Sequence, residues 1–409
     1  MKYMPLEKIG GGHVGYQQQV KEANIKQIFD LVRSGKCKSR AEIVRAMNLS
    51  ATSVSVLVEE LTDRKLIEEV GPTQTSLPGR RPISLKLNAN ARNLAVFLVR
   101  PDGVRYTLLN LGLQIVEDFF IPLDAHRLNV NTAGDEYLQL FDDVMRRRSK
   151  LFSPSRVVAL GICFPGIYIG RDHLFHSERA LGFSLPEESM QTFQRRTGRP
   201  VFLLNDTRSM AYAEKKFLDA LDPESPETRH LLFVRIKEDI RCTAIESNEL
   251  STGPLNVAGE IGHYTIDYKG KPCRCGNRGC LESYVKLSAI LERARQAARA
   301  AGIEEPQSFE ELARRYADEP ALLASVKESA ELLAFGLYNL LCSSGMRHLV
   351  LGGDITALGK PFLEELYHCL MKRTLLIRTL NLNYAQAGPD AEVLGIAHYF
   401  LDKVFTVTM

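Results

Sequence analysis

The sequence predicts a small winged helix-turn-helix head, mainly α, followed by a larger α/β body of two lobes. Three observations carry that prediction. Residues 18–88 run through three amphipathic helical stripes and then two alternating, strand-like segments. Residues 89–409 alternate short apolar runs with longer helical stretches. The charge divides near the same place: residues 1–92 hold 15 Lys and Arg against 9 Asp and Glu, the remainder 37 against 40. A basic head on a mildly acidic body is the footprint of a nucleic-acid reader joined to a domain that does not bind nucleic acid.

At 409 residues, with 45% hydrophobic and 25% charged residues, the chain has ample apolar material for two or three domains. No stretch approaches the roughly 18 apolar residues of a membrane span. The opening MKYMPLEKIGGGH lacks the apolar run of a secretory signal. The eight cysteines are spread along the chain except for three between 273 and 280, which points to a reducing compartment, the cytoplasm, and one metal site. Secreted, membrane-inserted and disordered classes are excluded. Residues 1–17, with Gly10-Gly11-Gly12, read as a flexible tail.

In the head, Ile25, Ile28, Phe29 and Val32 form one buried stripe, ended by Gly35. Ser39 with Glu42 reads as a capping box before a short helix in which Ile43, Val44, Ala46 and Met47 supply the apolar side. Asn48-Leu49 makes the turn, and Ser50 can cap a third helix buried through Val54, Leu57, Val58 and Leu61. The opening turn of that helix, Ser50, Ala51, Thr52, Ser53 and Ser55, is small and polar, and suits close entry into a major groove. Strands follow at 67–70 and 83–87. Between them lies a wing tipped by Arg80 and Arg81, guanidiniums suited to a narrow minor groove. Lys36, Lys38 and Arg40 would add phosphate contacts. A three-helix protein-interaction module shares the helical spacing, but not the basic wing or the charge excess.

In the body, strands are expected at 94–99, 157–162, 201–204, 231–236 and 349–351, and helices at 286–302, 323–345 and 391–405. The sharpest motif lies in 259–283: His263 followed by Cys273, Cys275 and Cys280. Three thiolates and an imidazole fit a closed tetrahedral zinc site, with Gly276 and Gly279 allowing tight turns between ligands. All four positions are then protein, so the expected Zn2+ is structural, with no coordination place for an activated water.

The run Gly259-Glu260-Ile261-Gly262-His263, with C-x-C-G-x-x-G-C-x-E at 273–282, resembles the signature of the ROK family of repressors, open reading frames and kinases. Phe164-Pro165-Gly166, Leu204-Asn205-Asp206, Leu351-Gly352-Gly353-Asp354 and Gly395-Ile396-Ala397 follow the family's order. The resemblance implies an actin-like, ribonuclease-H-like two-lobed fold in residues 89–409, with a sugar in the cleft. The head at 18–88 resembles the family's repressor branch, similar to its N-acetylglucosamine and xylose repressors. Carried over by motif, Asn205, Asp206, Glu260 and Glu282 would take sugar hydroxyls, and His263 would touch both zinc and sugar. The implied partners are a double-stranded DNA operator, a sugar or sugar-phosphate effector, and a second copy, as a homodimer or dimer of dimers.

Two departures from the kinases stand out. Where they carry D-x-G-G-T, this chain has Leu98-Val99-Arg100-Pro101-Asp102; where they carry G-T-G-x-G, it has Lys237-Glu238-Asp239-Ile240-Arg241-Cys242. Glycines in such turns let backbone N–H groups approach phosphate. Bulky side chains block that approach, and Glu238 and Asp239 are expected to repel the phosphates. The sequence therefore predicts a regulator, not an enzyme, with no ATP bound and no catalytic residues. The alternatives are a sugar kinase, a bifunctional kinase-regulator, or a regulator governed by a protein partner. In the loop 173–186, His176, Ser177 or Arg179 could meet a phosphate, or form only a polar surface.

Overall fold

The computed structural model describes residues 16–72, 83–123, 133–147, 156–169, 174–177, 181–222, 225–373 and 379–406. The tail expected at 1–17 lies almost wholly outside them, and Arg80, Arg81 and Arg179 lie outside them entirely.

The head consists of helices α1 (Tyr16–Arg33), α2 (Arg40–Met47) and α3 (Ala51–Asp63) and an antiparallel pair, β1 (Ile67–Pro72) and β2 (Ile83–Leu87). The stripe Ile25, Ile28, Phe29, Val32 is buried, as are Val54, Leu57, Val58 and Leu61 of α3. Helix α2 departs from expectation: of its apolar residues only Ile43 is buried, while Ala46 is exposed. Its cap is also rearranged. Ser39 Oγ accepts from Glu42 N, but Glu42 Oε2 accepts from Lys38 N at 2.7 Å, one residue before the cap. Asn48 closes the helix in the left-handed region, where asparagine is tolerated.

The chain divides into two compact units, one of residues 1–167, 172–206 and 396–409, the other of 168–171 and 207–395. The head and the first sheet therefore share a unit. That sheet holds β3 (Asn93–Arg100), β4 (Gly103–Asn110), β5 (Ile115–Pro122), β6 (Val157–Phe164) and, after the short strands β7 (Ile167–Ile169), β8 (Leu174–His176) and β9 (Ser184–Pro186), β10 (Val201–Asn205), in the order β10-β6-β3-β4-β5. Strands β3 to β5 form an antiparallel meander, and β6 and β10 add in parallel to β3. Strand β6 is buried along its whole length, the pattern of a central strand covered on both faces. Helix α4 (Ala133–Arg147) puts Tyr137, Leu138, Phe141, Val144 and Met145 into this unit's core.

The second unit repeats the plan. Its sheet, of β11 (Leu231–Ile236), β12 (Ile240–Glu246), β13 (Glu249–Ser251), β14 (His348–Gly352) and β15 (Asn381–Tyr384), has the order β13-β12-β11-β14-β15. Again the first three strands are an antiparallel meander and the last two add in parallel. Helices Leu287–Ala301 and Pro320–Ser344 pack in its core through residues such as Ile290, Ala294, Leu333 and Leu337.

The stretch expected as one helix over 391–405 is a helix, Ala391–Tyr399, that widens into a π-helical turn, Phe400–Val404. In the first unit this turn joins the head to the sheet. The Phe400 ring stacks on Phe202 of β10 at 5.7 Å, Phe405 meets Phe29 of α1 at 5.0 Å, and Arg33 Nη2 donates to Asp402 Oδ1 at 2.9 Å. Among the described residues no single helix is long and apolar enough to cross a membrane.

Candidate metal centre and effector residues

The corner from His263 to Glu282 is shaped by backbone bonds before any ligand is considered. Ile266 N donates to Gly279 O, Gly279 N to Lys271 O, and Cys273 N to Asn277 O, each at 2.8 Å. Gly279 has φ +67, and a Cβ there would lie 1.6 Å from Asp267 O, so only glycine lets the two strands of the knuckle approach.

This folding brings one ligand atom from each of His263, Cys273, Cys275 and Cys280 within 4.8 Å of one another. The Cys275 and Cys280 sulfurs are 3.6 Å apart, and Cys273 Sγ is 3.7 Å from His263 Nδ1. A cation held at about 2.3 Å by two thiolates at the tetrahedral angle sets the sulfurs about 3.8 Å apart, so spacing and donor set both fit a closed Cys₃His site. Burial and then the neighbouring thiols push Cys280 up to about 12, and burial raises Cys273.

The expected sugar residues are placed as follows. Asn205 ends β10, and its Nδ2 donates to Gly166 O at 2.7 Å, so one end of the amide holds the Phe164-Pro165-Gly166 turn. Asp206 opens helix Asp206–Leu221 and is buried. Both belong to the first unit, whereas Glu260, His263 and Glu282 belong to the second. His263 faces the other two: its Nε2 lies 3.9 Å from Glu260 Oε2 and its Nδ1 3.6 Å from Glu282 Oε1. Glu282 is buried and accepts from Cys273 Sγ at 3.2 Å, so it faces the cluster. Ser177 donates its hydroxyl to Pro165 O and is buried, while His176 lies on β8.

With this geometry in place, comparison with known proteins is direct. The ROK family model matches residues 134–403, well over half of the sequence. The chain belongs to the ROK family. The xylose repressor of Bacillus subtilis is 25% identical over 94% of this chain and 97% of its own length. The DNA-binding transcriptional dual regulator NagC of Escherichia coli is 27% identical over 69% of this chain and 67% of its own. Among solved structures, a ROK family transcriptional regulator described as a homologue of the E. coli MLC protein superposes with a TM-score of 0.76 at 20% identity, covering 93% of this chain and 98% of its own. A ROK family glucokinase from Streptomyces griseus superposes at 0.58 and 18% identity, over 75% of this chain and 98% of its own.

Of the two turns that depart from the ROK kinase pattern, the second is filled differently from expectation. The β3–β4 turn is tight, with Tyr137 Oη donating to Arg100 O at 3.2 Å. In the β11–β12 turn the acids do not stand out to repel an anion. Glu238 accepts from Ser288 N and Oγ at 3.0 and 2.6 Å, at the start of helix Leu287–Ala301. Asp239 accepts from Arg235 Nη2 at 2.7 and 2.9 Å and lies 3.0 Å from Arg241 Nε. The expected repulsion is thus neutralised internally, and the turn is occupied by two guanidiniums.

In the head, Ser50 Oγ caps α3 by accepting from Ser53 N at 3.0 Å and lies 2.8 Å from Ser53 Oγ, so these two hydroxyls are engaged with each other and with the helix end. Ala51 and Thr52 are exposed, and Ser55 is half-buried. Arg40, expected to reach phosphate, is paired with Glu69 at 2.8 Å. Sequence reasoning missed Val56, an apolar residue 53% exposed on α3. Its signal was visible: it stands outside the buried Val54, Leu57, Val58, Leu61 stripe.

Proposed function

We propose that the protein is a transcriptional repressor that binds an operator through its head and responds to a sugar bound by its ROK body. The observation that carries this is coverage. The relative named as a repressor aligns over 94% of this chain, whereas the glucokinase superposes on only 75%, almost the whole of itself. The head is extra to the kinase plan, and the xylose repressor of Bacillus subtilis aligns nearly end to end with this chain. The filled glycine turns support a regulator that does not transfer phosphate, although kinases share the fold.

In this reading residues 18–88 are a winged helix-turn-helix, with α3 entering the major groove. Ser50, Ala51, Thr52, Ser53 and Ser55 line its approach, Val56 is placed for a thymine methyl, and Arg80 and Arg81 stand on the wing. Residues 89–409 form the sugar-binding body, where Asn205, Asp206, Glu260, His263 and Glu282 take hydroxyls. Zn2+ held by His263, Cys273, Cys275 and Cys280 acts as a cross-link that fixes the imidazole and, through it, the facing carboxylates. The protein acts in the cytoplasm as a homodimer, whose two-fold axis presents two heads to a palindromic operator with half-sites near whole helical turns apart.

The test is retention of genomic fragments by the zinc-loaded protein at physiological salt, with and without a panel of sugars and sugar phosphates. Discrete fragments released by one sugar are expected. Retention without selectivity would remove the operator-reading role, and discrete fragments that no sugar releases would transfer control to a protein partner.

A further inference from the structure

The β11–β12 turn is more than a blocked phosphate site. Cys242 N donates to Gly259 O at 2.7 Å, which fixes Arg241 and Glu260 side by side. Gly259 is required for that approach: its φ is +104, and a Cβ would sit 1.9 Å from Cys242 O. Arg241 Nε lies 3.0 Å from Asp239 Oδ2 and 3.8 Å from Glu260 Oε1. Its side chain is only 11% exposed, and its Nη1 is buried and donates no hydrogen bond to the protein. Buried guanidinium donors are ordinarily paired, because an unmet donor forfeits its hydration. Arg235, by contrast, is satisfied by Asp239 and by Thr207 Oγ1 at 2.9 Å.

We infer that Arg241 is an effector-binding residue, donating through Nη1 to a sugar hydroxyl oxygen while Glu260 accepts from the neighbouring hydroxyl. This rests on the reading that Glu260 takes a sugar. A carboxylate beside a guanidinium presents one acceptor and one donor, the complement of a vicinal diol, in which each hydroxyl both gives and receives. The metal corner holds the acceptor in place, since Glu260 Oε2 faces His263 Nε2. The local charge selects the ligand class: Arg235 and Arg241 are balanced by Asp239 and Glu260, which leaves no net positive charge to favour a phosphate. The effector read here is therefore an uncharged, polyhydroxylated sugar. The residue that closes the turn to nucleotide phosphates also serves sugar recognition.

The experiment is calorimetric titration of the full-length, zinc-loaded protein with D-xylose, D-glucose and N-acetylglucosamine, and with the 6-phosphates of the last two. The titration is repeated on Arg241→Met, which keeps the length of the side chain without its donors, and on Arg241→Lys. One neutral sugar should bind the wild type, and Arg241→Met should bind it at least tenfold more weakly while retaining zinc and a cooperative unfolding transition. Arg241→Lys, which keeps a donor, should lose less. Wild-type affinity in zinc-loaded Arg241→Met would overturn the inference and leave the repressor reading intact. Tenfold tighter binding of a 6-phosphate than of its parent sugar would overturn the neutral ligand class. Failure of the wild type to bind any of these compounds would overturn the sugar reading itself, and this inference with it.

Discussion

The corner at His263–Glu282 and the turn at Phe400–Phe405 each fasten separate stretches of chain, by opposite means. The corner gathers four polar ligands that lie within 18 residues of one another around a point that suits a cation. The turn gathers aromatic rings and one ion pair from residues as distant in sequence as Phe29, Phe202 and Phe405. A coordinated cross-link fails all at once when one ligand is lost, whereas packed rings lose stability in proportion to the surface removed. The two regions should therefore respond differently to single substitutions.

The largest effect is expected at the corner. Cys275→Ser should lose zinc, abolish amide protection over 263–282 and weaken sugar binding at least tenfold, while α1 and α3 of the head keep their protection. Metal analysis with hydrogen exchange on the full chain measures all three. Retained sugar affinity in the zinc-free variant would separate the metal from the effector residues and undo the coupling drawn through His263.

Next in size is the aromatic turn. Phe405 is 2% exposed and touches Phe29 and Phe400. Phe405→Ala should cost about 3–5 kcal/mol of unfolding free energy, the usual range for emptying a buried aromatic site. The loss should appear in α1 exchange as well as at the chain end, because Arg33 then holds Asp402 without the ring contact beside it. A loss under about 0.5 kcal/mol, well outside that range, would show that the site collapses without cost and that the turn does not fasten the head.

The same contrast explains what the sequence revealed. The cysteine spacing, the caps at Ser39 and Ser50 and the buried stripes of α1 and α3 are local patterns, with cause and consequence a few residues apart. The phenylalanine chain was unreadable because nothing near Phe405 announces Phe29. The meander strands β4 and β5 were missed because polar residues interrupt their apolar ones, Arg105 and Thr107 in β4 and Glu117 and Asp118 in β5, whereas β3 and β6 run apolar without a break from Leu94 to Val99 and from Val157 to Phe164. At the β11–β12 turn the absence of glycine was legible, but the fate of the acids was not. Glu238 and Asp239 read as repulsive until their partners Ser288, Arg235 and Arg241 were in place. Asn205 and Glu282 were expected from the sequence to take sugar hydroxyls, and only the fold shows that one supports the Gly166 turn and the other faces the thiols.

A third kind of fastening, charge at the surface, should give the smallest effect and a different signature. Glu60 on α3 accepts from Lys21 of α1 and from Arg64, each at 2.7 Å. The Lys21 bond is the main influence holding its carboxyl below the usual range, with Arg64 adding to it. A carboxyl lowered in the folded state binds fewer protons there than in the unfolded chain as the pH falls. Its stabilisation is therefore present above the ordinary carboxylate pKa and is lost on acidification through the folded value. Lys21 is 43% exposed, so solvent screening holds the contribution of the pair to about 0.5 kcal/mol. Glu60→Gln should cost that much at pH 7, less in about 1 M salt, and nothing once acidification has carried the wild-type carboxyl through its folded pKa. Urea unfolding of both proteins across an acid titration from pH 7 measures the difference. A penalty that does not shrink as the pH falls would assign Glu60 to packing, making its role resemble that of Phe405 and not that of an ion pair.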